Sequence, residues 1–590
     1  INSGALTGSG TMTATNLTVN GGTFFADGAI TVTNPLQVNS GGTLGGSGTI
    51  TGDVSINSGG LLEPGNSPGT ITIDGDLTLS SGSILRTELQ GDPSKANDLV
   101  VIIGGTNTAT LTGATLNLVV GSGVIKTGDT FDILTTANAN GVVGTFGTIN
   151  GSSAVLALAV SYQADTVRVT ATRKSYESFA TTPNETVIAT TLDTLLNSAS
   201  GDLASVLHEI DRLESATSVS KALRSLAPAT HQVTTAVAAT VQRGFFRGMD
   251  RRLSQIRSRL EAYTYHRPPH SDRLMAMGGG VPTQDTLPPL DTLMDENRRL
   301  RAQLSRLQRK GIRVWANGLA LRASKKETSS EIGYDLSSVG SIFGADYQVN
   351  DLLGVGIIGS GVRSQASYRG SRGWTDSESM TLGVYGMIRL GAGGHLDLTA
   401  YYGWDSYENE RKINFGTLRR TAQSDHDGYH TGTRLAGRYL WQVGRWQVGP
   451  TAELSYMRTH QKEFQETGAS DLDLRVRSRD IDSLEHVLGF QASTRIDLAD
   501  GKTILVPEFR AGWGHEYMRE SGEIKSSFRG AASQSFTVKS ADPDRDRATL
   551  GVGLRALLRE NLNLQLHYDT SLGGEHESTH SLQFGLTLRF

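Results

Sequence analysis

Nucleophilic, metal-assisted and phosphate-binding chemistry each need particular residue types at particular spacings, and this 590-residue chain offers few of them. It has no Cys, which excludes thiol nucleophiles, Cys-ligated zinc, iron–sulfur clusters and disulfide frameworks. It contains no P-loop. Residues 1–172 contain no His, so a Ser–His pair cannot form there. His430, His486, His515 and His567 stand singly in alternating stretches, where a structural role outweighs a ligand role. No catalytic residue, cofactor or metal site is expected, and the chain is read as not an enzyme. Two other groups of charges have a recognisable pattern. One is a run of cations, Arg298, Arg299, Arg301, Arg306, Arg309 and Lys310, with no acid between Glu296 and Lys310. The second is Glu453, Glu508, Arg510 and Arg555, which fall on the polar phase of alternating runs. A net charge of −4 argues against bulk nucleic-acid binding.

The elements that must position these charges follow from periodicity. Gly supplies 70 of the 590 residues, well above the usual ~7%, which implies many tight turns. Three N-terminal segments align: Leu17-Thr-Val-Asn-Gly-Gly22, Leu36-Gln-Val-Asn-Ser-Gly-Gly42 and Val54-Ser-Ile-Asn-Ser-Gly-Gly60, with Leu77-Thr-Leu-Ser-Ser-Gly82 as a looser fourth copy. Short alternating strands punctuated by Gly and Asn at this spacing form the coils of a β-solenoid, each coil covering its neighbour's core face. The Asn residues are expected in turns and stacked ladders. The chain opens inside this pattern at Ile1, so its N-terminus is read as a cut end. Between about 183 and 262 the period shifts toward 3.6, as in Leu203, Leu207, Ile210 and Leu213, with Pro228 as a breaker. A linker rich in Pro and Gly covers 266–289, followed by a helix over 291–310 with Leu300, Leu304 and Leu307 on one stripe. That helix is either solvated or coiled, or its cations face an acidic lumen.

No stretch of about 18 apolar residues exists for a membrane helix. From Gly311 onward, however, twelve runs of dyad alternation follow. Leu396, Leu398, Ala400, Tyr402 and Trp404 alternate with polar neighbours, as do Leu562 to Tyr568 and Leu582 to Phe590. Connections such as Gly391–Gly394 and Val443–Gly444 are short, while Ser406–Gly428, Arg458–Asp482 and Arg519–Arg545 are long and polar. An even strand count with alternating short and long connections is the asymmetry of an outer-membrane barrel. Glu453, Glu508, Arg510 and Arg555 then line a wet lumen, pairing with one another or clamping the helix 291–310.

Several motifs add a family resemblance. Gly59 to Thr70, containing Pro64, Gly65, Asn66, Ser67, Pro68 and Gly69, followed by Gly75-Asp-Leu-Thr-Leu79, resembles the passenger-associated transport repeat of bacterial autotransporters. Gly128-Asp-Thr-Phe-Asp-Ile-Leu134, Gly144-Thr-Phe146 and Val167 to Thr172 resemble the last rungs of an autotransporter passenger, its folding nucleus. Gln583, Gly585, Leu588 and Phe590 are similar to the terminal signal read by the barrel-assembly machinery, and Val314-Trp315, Gly333-Tyr-Asp335 and Gly512-Trp513 to translocator landmarks. The resemblance implies a classical monomeric type V autotransporter, all-β with a helical linker: a right-handed β-solenoid passenger end (1–172), a helical connector and pore helix (173–310) and a 12-stranded transmembrane antiparallel β-barrel (311–590). It further implies self-export to the cell surface, outer-membrane lipid and lipopolysaccharide around the barrel, periplasmic chaperones, and a host or neighbouring-cell ligand for an adhesive passenger. An enzyme-type passenger, a protease or esterase lying upstream of Ile1, is the alternative. A plain porin-like channel is a third reading. Relatives cut at paired Asn in the pore helix, whereas Asn297 is followed by Arg298, so cleavage there is not expected.

Overall fold

The structure is a computed structural model. It describes the chain except residues 67, 93, 229, 263–311, 329–331, 351, 392, 499–502, 519–521, 541–544, 560–561, 574–576 and 590, and the side chains of 255–262, 559 and 589.

Residues 5–150 wind into a β-solenoid with three faces, each a stack of parallel strands. The segments aligned above lie on one face and stack in the register of their alignment: Leu36 beside Val54, and Val54 beside Leu77. Alternation places one phase inside, so that Val38, Ile56, Leu79 and Leu111 form a continuous core along the axis. The second Gly of each repeated pair is there for space. A Cβ on Gly22, Gly42 or Gly60 would sit 2.1, 2.4 or 2.5 Å from a carbonyl oxygen of the preceding coil. Asn side chains form the expected ladder, Asn57 donating to Asn39 and Asn39 to Asn20, each at 2.7 Å. The stack ends in a hairpin. Leu156–Tyr162 and Thr166–Arg173 pair antiparallel, and the latter caps Thr130–Thr136 in the same sense, so the final rungs close the open edge of the sheet.

Four α-helices follow among the described residues. α1 (Pro183–Leu195) starts with Thr182 as N-cap and Pro183 in the first turn. α2 (Gly201–Asp211) docks on the solenoid end through Arg173, which holds Asp211 in a buried bidentate pair at 2.6 and 2.7 Å. α3 (Ala216–Leu226) ends just before Pro228, and α4 (Thr230–Ala262) is the longest helix among the described residues. None of the described helices is long and apolar enough to cross a membrane.

The remainder is a closed antiparallel barrel. β1 (Ile312–Lys325), β2 (Tyr334–Gln348), β3 (Leu353–Tyr368), β4 (Gly373–Leu390), β5 (Gly394–Phe415) and β6 (Leu418–Tyr439) pair in sequence order. β7 (Trp446–Gln461), β8 (Arg479–Thr494), β9 (Ile504–Glu516), β10 (Asp546–Arg559), β11 (Leu562–Gly573) and β12 (Glu577–Arg589) complete the ring. Pairing of β12 with β1, Leu588 opposite Val314, leaves no free edge among these twelve strands. The expected phase holds: Leu398, Trp404, Leu566 and Phe584 point outward and exposed, while Asp397, Thr399, Asp405 and Gln565 point inward and buried.

The connection expected at Ser406–Gly428 is different. Those residues continue β5 and β6 as a paired ribbon with only Gly416 and Thr417 at its tip. Their polar alternation suits a ribbon standing in water, so a stretch read as loop is strand. The link after β3 is also short. The connections after β7 and β9 do carry long excursions, and together they build a second sheet from Phe464–Gln465, Leu474–Val476, Glu523–Phe528 and Ser535–Lys539. This sheet, the β5–β6 ribbon and α1 to α3 share one apolar core, in which Ile188, Leu207 and Leu223 meet Ile413, Leu474, Phe528 and Val538.

Candidate functional site: the occupied barrel lumen

The core at the outer mouth is reinforced by polar ties between the helices and the barrel loops. Arg420 grips Asp202 at 2.7 and 2.5 Å, and Asn184 exchanges two hydrogen bonds with the backbone of Lys539 at 2.7 and 2.9 Å. Deeper in, Arg411 and His231 both reach Glu466 in the loop after β7, at 2.6 and 2.9 Å. Burial alone raises a carboxyl pKa, but the Arg411 guanidinium and the His231 contact prevail and hold Glu466 at about 2. His231 lies at the start of α4, so the loop is tied to the helix where it enters the barrel.

α4 descends inside the lumen. Phe245, Phe246, Met249 and Leu253, at helical spacing, pack against Trp315, Ile342, Ile358, Tyr385, Met387 and Tyr401 on one wall, β1 to β5. Two small residues permit the approach. A Cβ on Gly248 would sit 2.3 Å from Ile342 Cδ1, and one on Gly244 would sit 3.3 Å from Leu319 and Leu321. Gln242 donates to Thr459 at 2.9 Å and accepts from the Tyr401 hydroxyl at 3.2 Å.

Three consecutive charged residues of α4 meet opposite charges on the wall. Asp250 takes Arg438, Arg510 at 2.8 Å and Arg434 at 3.4 Å. Arg251 binds Asp569 and lies 3.9 Å from Glu508. Arg252 holds Asp346 at 2.7 and 2.5 Å and stacks over Trp315 at 5.7 Å. Asp346 also pairs with Arg313 at 2.6 Å and accepts from the Tyr385 hydroxyl at 2.9 Å. Such pairs are tolerable in a wet, charge-matched lumen and would not be in lipid. Against β6 to β11, the far wall, α4 leaves a cavity of about 140 Å³.

The four expected lumen charges are all in this environment. Glu453 pairs with Arg434 at 2.6 Å, Glu508 with Arg510 at 3.1 Å and Arg555 at 3.6 Å, and Arg555 donates to the backbone carbonyl of Ser254 at 3.2 Å. They surround α4. The cations expected to plug the pore, Arg298, Arg299, Arg301, Arg306, Arg309 and Lys310, lie outside the described residues, and the helix found in the lumen is the end of the segment read as connector. Its signal was available as two stripes, apolar at 245, 246, 249 and 253 and charged at 243, 247, 250 and 251. Absence of Leu from most of it obscured the period.

At the C-terminus Gln583 and Gly585 face inward, and a Cβ on Gly585 would crowd Asn317 at 2.2 Å and Gln565 at 2.3 Å. Leu588 faces outward, and Phe590 lies outside the described residues. In the transport repeat, Pro64 ends a strand, Gly65 turns with φ +78° against Gly69, and Asn66 donates to Asp27 at 3.1 Å. Pro68 follows in the same turn, and Ser67 is outside the described residues. The Gly69 N–H donates to Asp98 at 2.8 Å, a residue that motif reading had missed.

A model of the autotransporter β-domain family matches residues 314–569. The chain is 26% identical over 490 residues to an extracellular serine protease of Serratia marcescens, covering 78% of this chain and 43% of that protein. It is 23% identical over 272 residues to outer membrane protein A of Rickettsia rickettsii, covering 45% of this chain and 12% of that protein. It thus spans less than half the length of these relatives. Among solved structures, the translocator domain of the autotransporter NalP from Neisseria meningitidis aligns with 18% identity and a TM-score of 0.38, over 51% of this chain and 96% of that one. Residues 314–569 thus match an autotransporter β-domain, a barrel of the outer membrane, here entered by a helix that leads back to a β-solenoid.

Proposed function

We propose that the barrel exports and then tethers its own solenoid, and that the displayed passenger is adhesive. The observation that carries the tethering is α4, which fills the lumen and is continuous with the helices packed beneath the last solenoid coil. In this reading residues 1–172 are the passenger end, 173–310 the connector and 311–590 the translocator. Export draws on folding: a passenger that closes its hairpin-capped rungs outside cannot slip back, and each added coil buries apolar surface. Gln583, Gly585, Leu588 and Phe590 present the last strand to the barrel-assembly machinery, after periplasmic chaperones deliver the chain. The protein then stands as a monomer among outer-membrane lipid and lipopolysaccharide, its solenoid facing a host or neighbouring cell. The decisive experiment is protease and antibody access to an epitope within residues 1–172 on intact cells, with adhesion measured before and after shaving. An epitope that becomes accessible only after lysis overturns display. Undiminished adhesion after complete shaving overturns the adhesive role.

A second reading rests on the Serratia marcescens relatives, named extracellular serine proteases, which match 78% of this chain while extending well beyond it. There the solenoid would carry an enzyme placed before Ile1. Labelling of the full-length passenger by a serine-reactive fluorophosphonate favours that reading, and a clean negative with a folded passenger removes it.

A further inference from the structure

α4 fills the lumen unevenly. Its apolar stripe takes the β1 to β5 wall, and its charged stripe looks across the cavity of about 140 Å³ toward β6 to β11. Seven arginines and four carboxylates line that cavity, an excess of three positive charges. Just beyond the lining, Glu508 and Arg555 offset one another at 3.6 Å, while Glu577 and Asp397, each at 3.7 Å, answer Arg243 and Arg438, so one of the three positive charges stays unbalanced.

The arginines are also short of acceptors. Arg434 gives one terminal nitrogen to Glu453 and Asp250, while its Nε and Nη1 are buried without a hydrogen-bond partner. The Nε of Arg547, which pairs with Glu485, and the Nη1 of Arg247 are in the same condition among the described residues. The side chain of Arg434 is 2% exposed. Buried charged donors left unpaired are costly. Water can accept their hydrogen bonds but cannot balance their charge, whereas an anion does both. Guanidinium groups offer forked donors that match a tetrahedral oxyanion, and the volume is about ten times what one water needs, enough for such an ion with part of its hydration.

We propose that this residual lumen is a binding site for a small oxyanion of the phosphate or diphosphate class, held between Arg247 of α4 and Arg434 and Arg547 of the wall. The site locks helix to barrel: an anion bridging both stabilises the occupied lumen over the open one. A lipid headgroup has the same chemistry, but reaching this cavity would draw its acyl chains into the polar lumen, so a free anion from solution is the occupant.

The test uses the whole chain, refolded in detergent free of lipopolysaccharide and checked for heat-modifiable migration. It is titrated calorimetrically with sodium pyrophosphate and with sodium phosphate, with sodium chloride at equal ionic strength as control. We expect saturable binding at one site, about tenfold weaker in Arg247→Gln and largely restored in Arg247→Lys. The temperature at which cold-SDS mobility is lost should rise with pyrophosphate in the wild type. Heat no greater than with chloride overturns the proposal, as does equal affinity in folded Arg247→Gln. Phosphate binding that appears only when lipopolysaccharide is added also overturns it, assigning the phosphate to the barrel's outer surface. If Arg247→Gln does not fold, the wild-type titration and Arg247→Lys decide.

Discussion

At the residue scale two carboxylates with opposite surroundings make separable claims. Asp98 accepts backbone N–H bonds from Gly69 and Glu88, both at 2.8 Å, beneath the transport repeat, and its burial pushes its pKa up to about 6. Its folded value therefore lies above its unfolded one, so the stability it contributes is present below about pH 4 and is lost as pH rises through about 6. We expect the stability difference between wild type and Asp98→Asn to change across that window and to be flat above it, as read from passenger unfolding followed by circular dichroism against pH. A pH-independent difference would falsify the burial argument. Asp346 is the opposite case, a carboxylate surrounded by Arg252, Arg313 and the Tyr385 hydroxyl. Asp346→Ala leaves two buried guanidinium groups without their acceptor and should lower barrel stability by about 3–5 kcal/mol. Arg252→Ala should cost less, since Arg313 and Tyr385 still satisfy Asp346. Urea midpoints of the heat-modifiable form rank the two, and the reverse order would refute this account.

At the scale of the element, α4 is held by shape on one side and charge on the other. The shape depends on Gly248, where any side chain meets Ile342. Gly248→Leu should wedge the helix off the β1 to β5 wall, raising single-channel conductance in planar bilayers while the barrel still forms. Deleting 230–262 should raise it further, toward an open twelve-stranded pore. Unchanged conductance in both, with folded barrels, would remove α4 from the pore. The helix was hard to read from sequence for a physical reason. A luminal helix meets protein on one side and water-lined charge on the other, so Thr, Ala and Val suffice for packing and a strong Leu stripe is not needed. The Arg-rich segment 291–310 has the stronger stripe and drew the plug assignment.

At the scale of the whole molecule, passenger base and barrel mouth are one structure. Ile188, Leu207 and Leu223 from the helices share a core with Leu474, Phe528 and Val538 from the loops after β7 and β9. Removing α1 to α3 takes away one side of that core and exposes apolar loop residues to water. We expect residues 462–478 and 522–540 to be cut rapidly by protease in a barrel lacking 1–229 and to resist it in the intact chain, with fragment masses as the readout. Equal resistance would mean that the loops fold without the helices. This shared core, with the ion pairs that flank it, ties the end of the solenoid to the mouth of the barrel.

Periodicity determined much of this protein, because a solenoid coil and a barrel strand each repeat a local pattern whose partner is the next copy. The Leu36, Val54 and Leu77 segments aligned by eye stack in that register, and the phase of Leu566 and Phe584 against Gln565 and Gln583 is the phase of lipid against lumen. The inward phase likewise marked Glu453, Glu508, Arg510 and Arg555. What repetition does not encode is contact between unlike parts. That α4 takes the lumen, that Asp250 faces Arg438 and Arg510, that residues 406–428 continue as paired strand, and that distant loops build a sheet under three helices are all decided by tertiary structure. Each depends on charge and apolar surface matched between parts far apart in the chain, 188 and 260 residues for Asp250 and these two arginines, or on a ribbon supported by neighbours, and no local period records such matches.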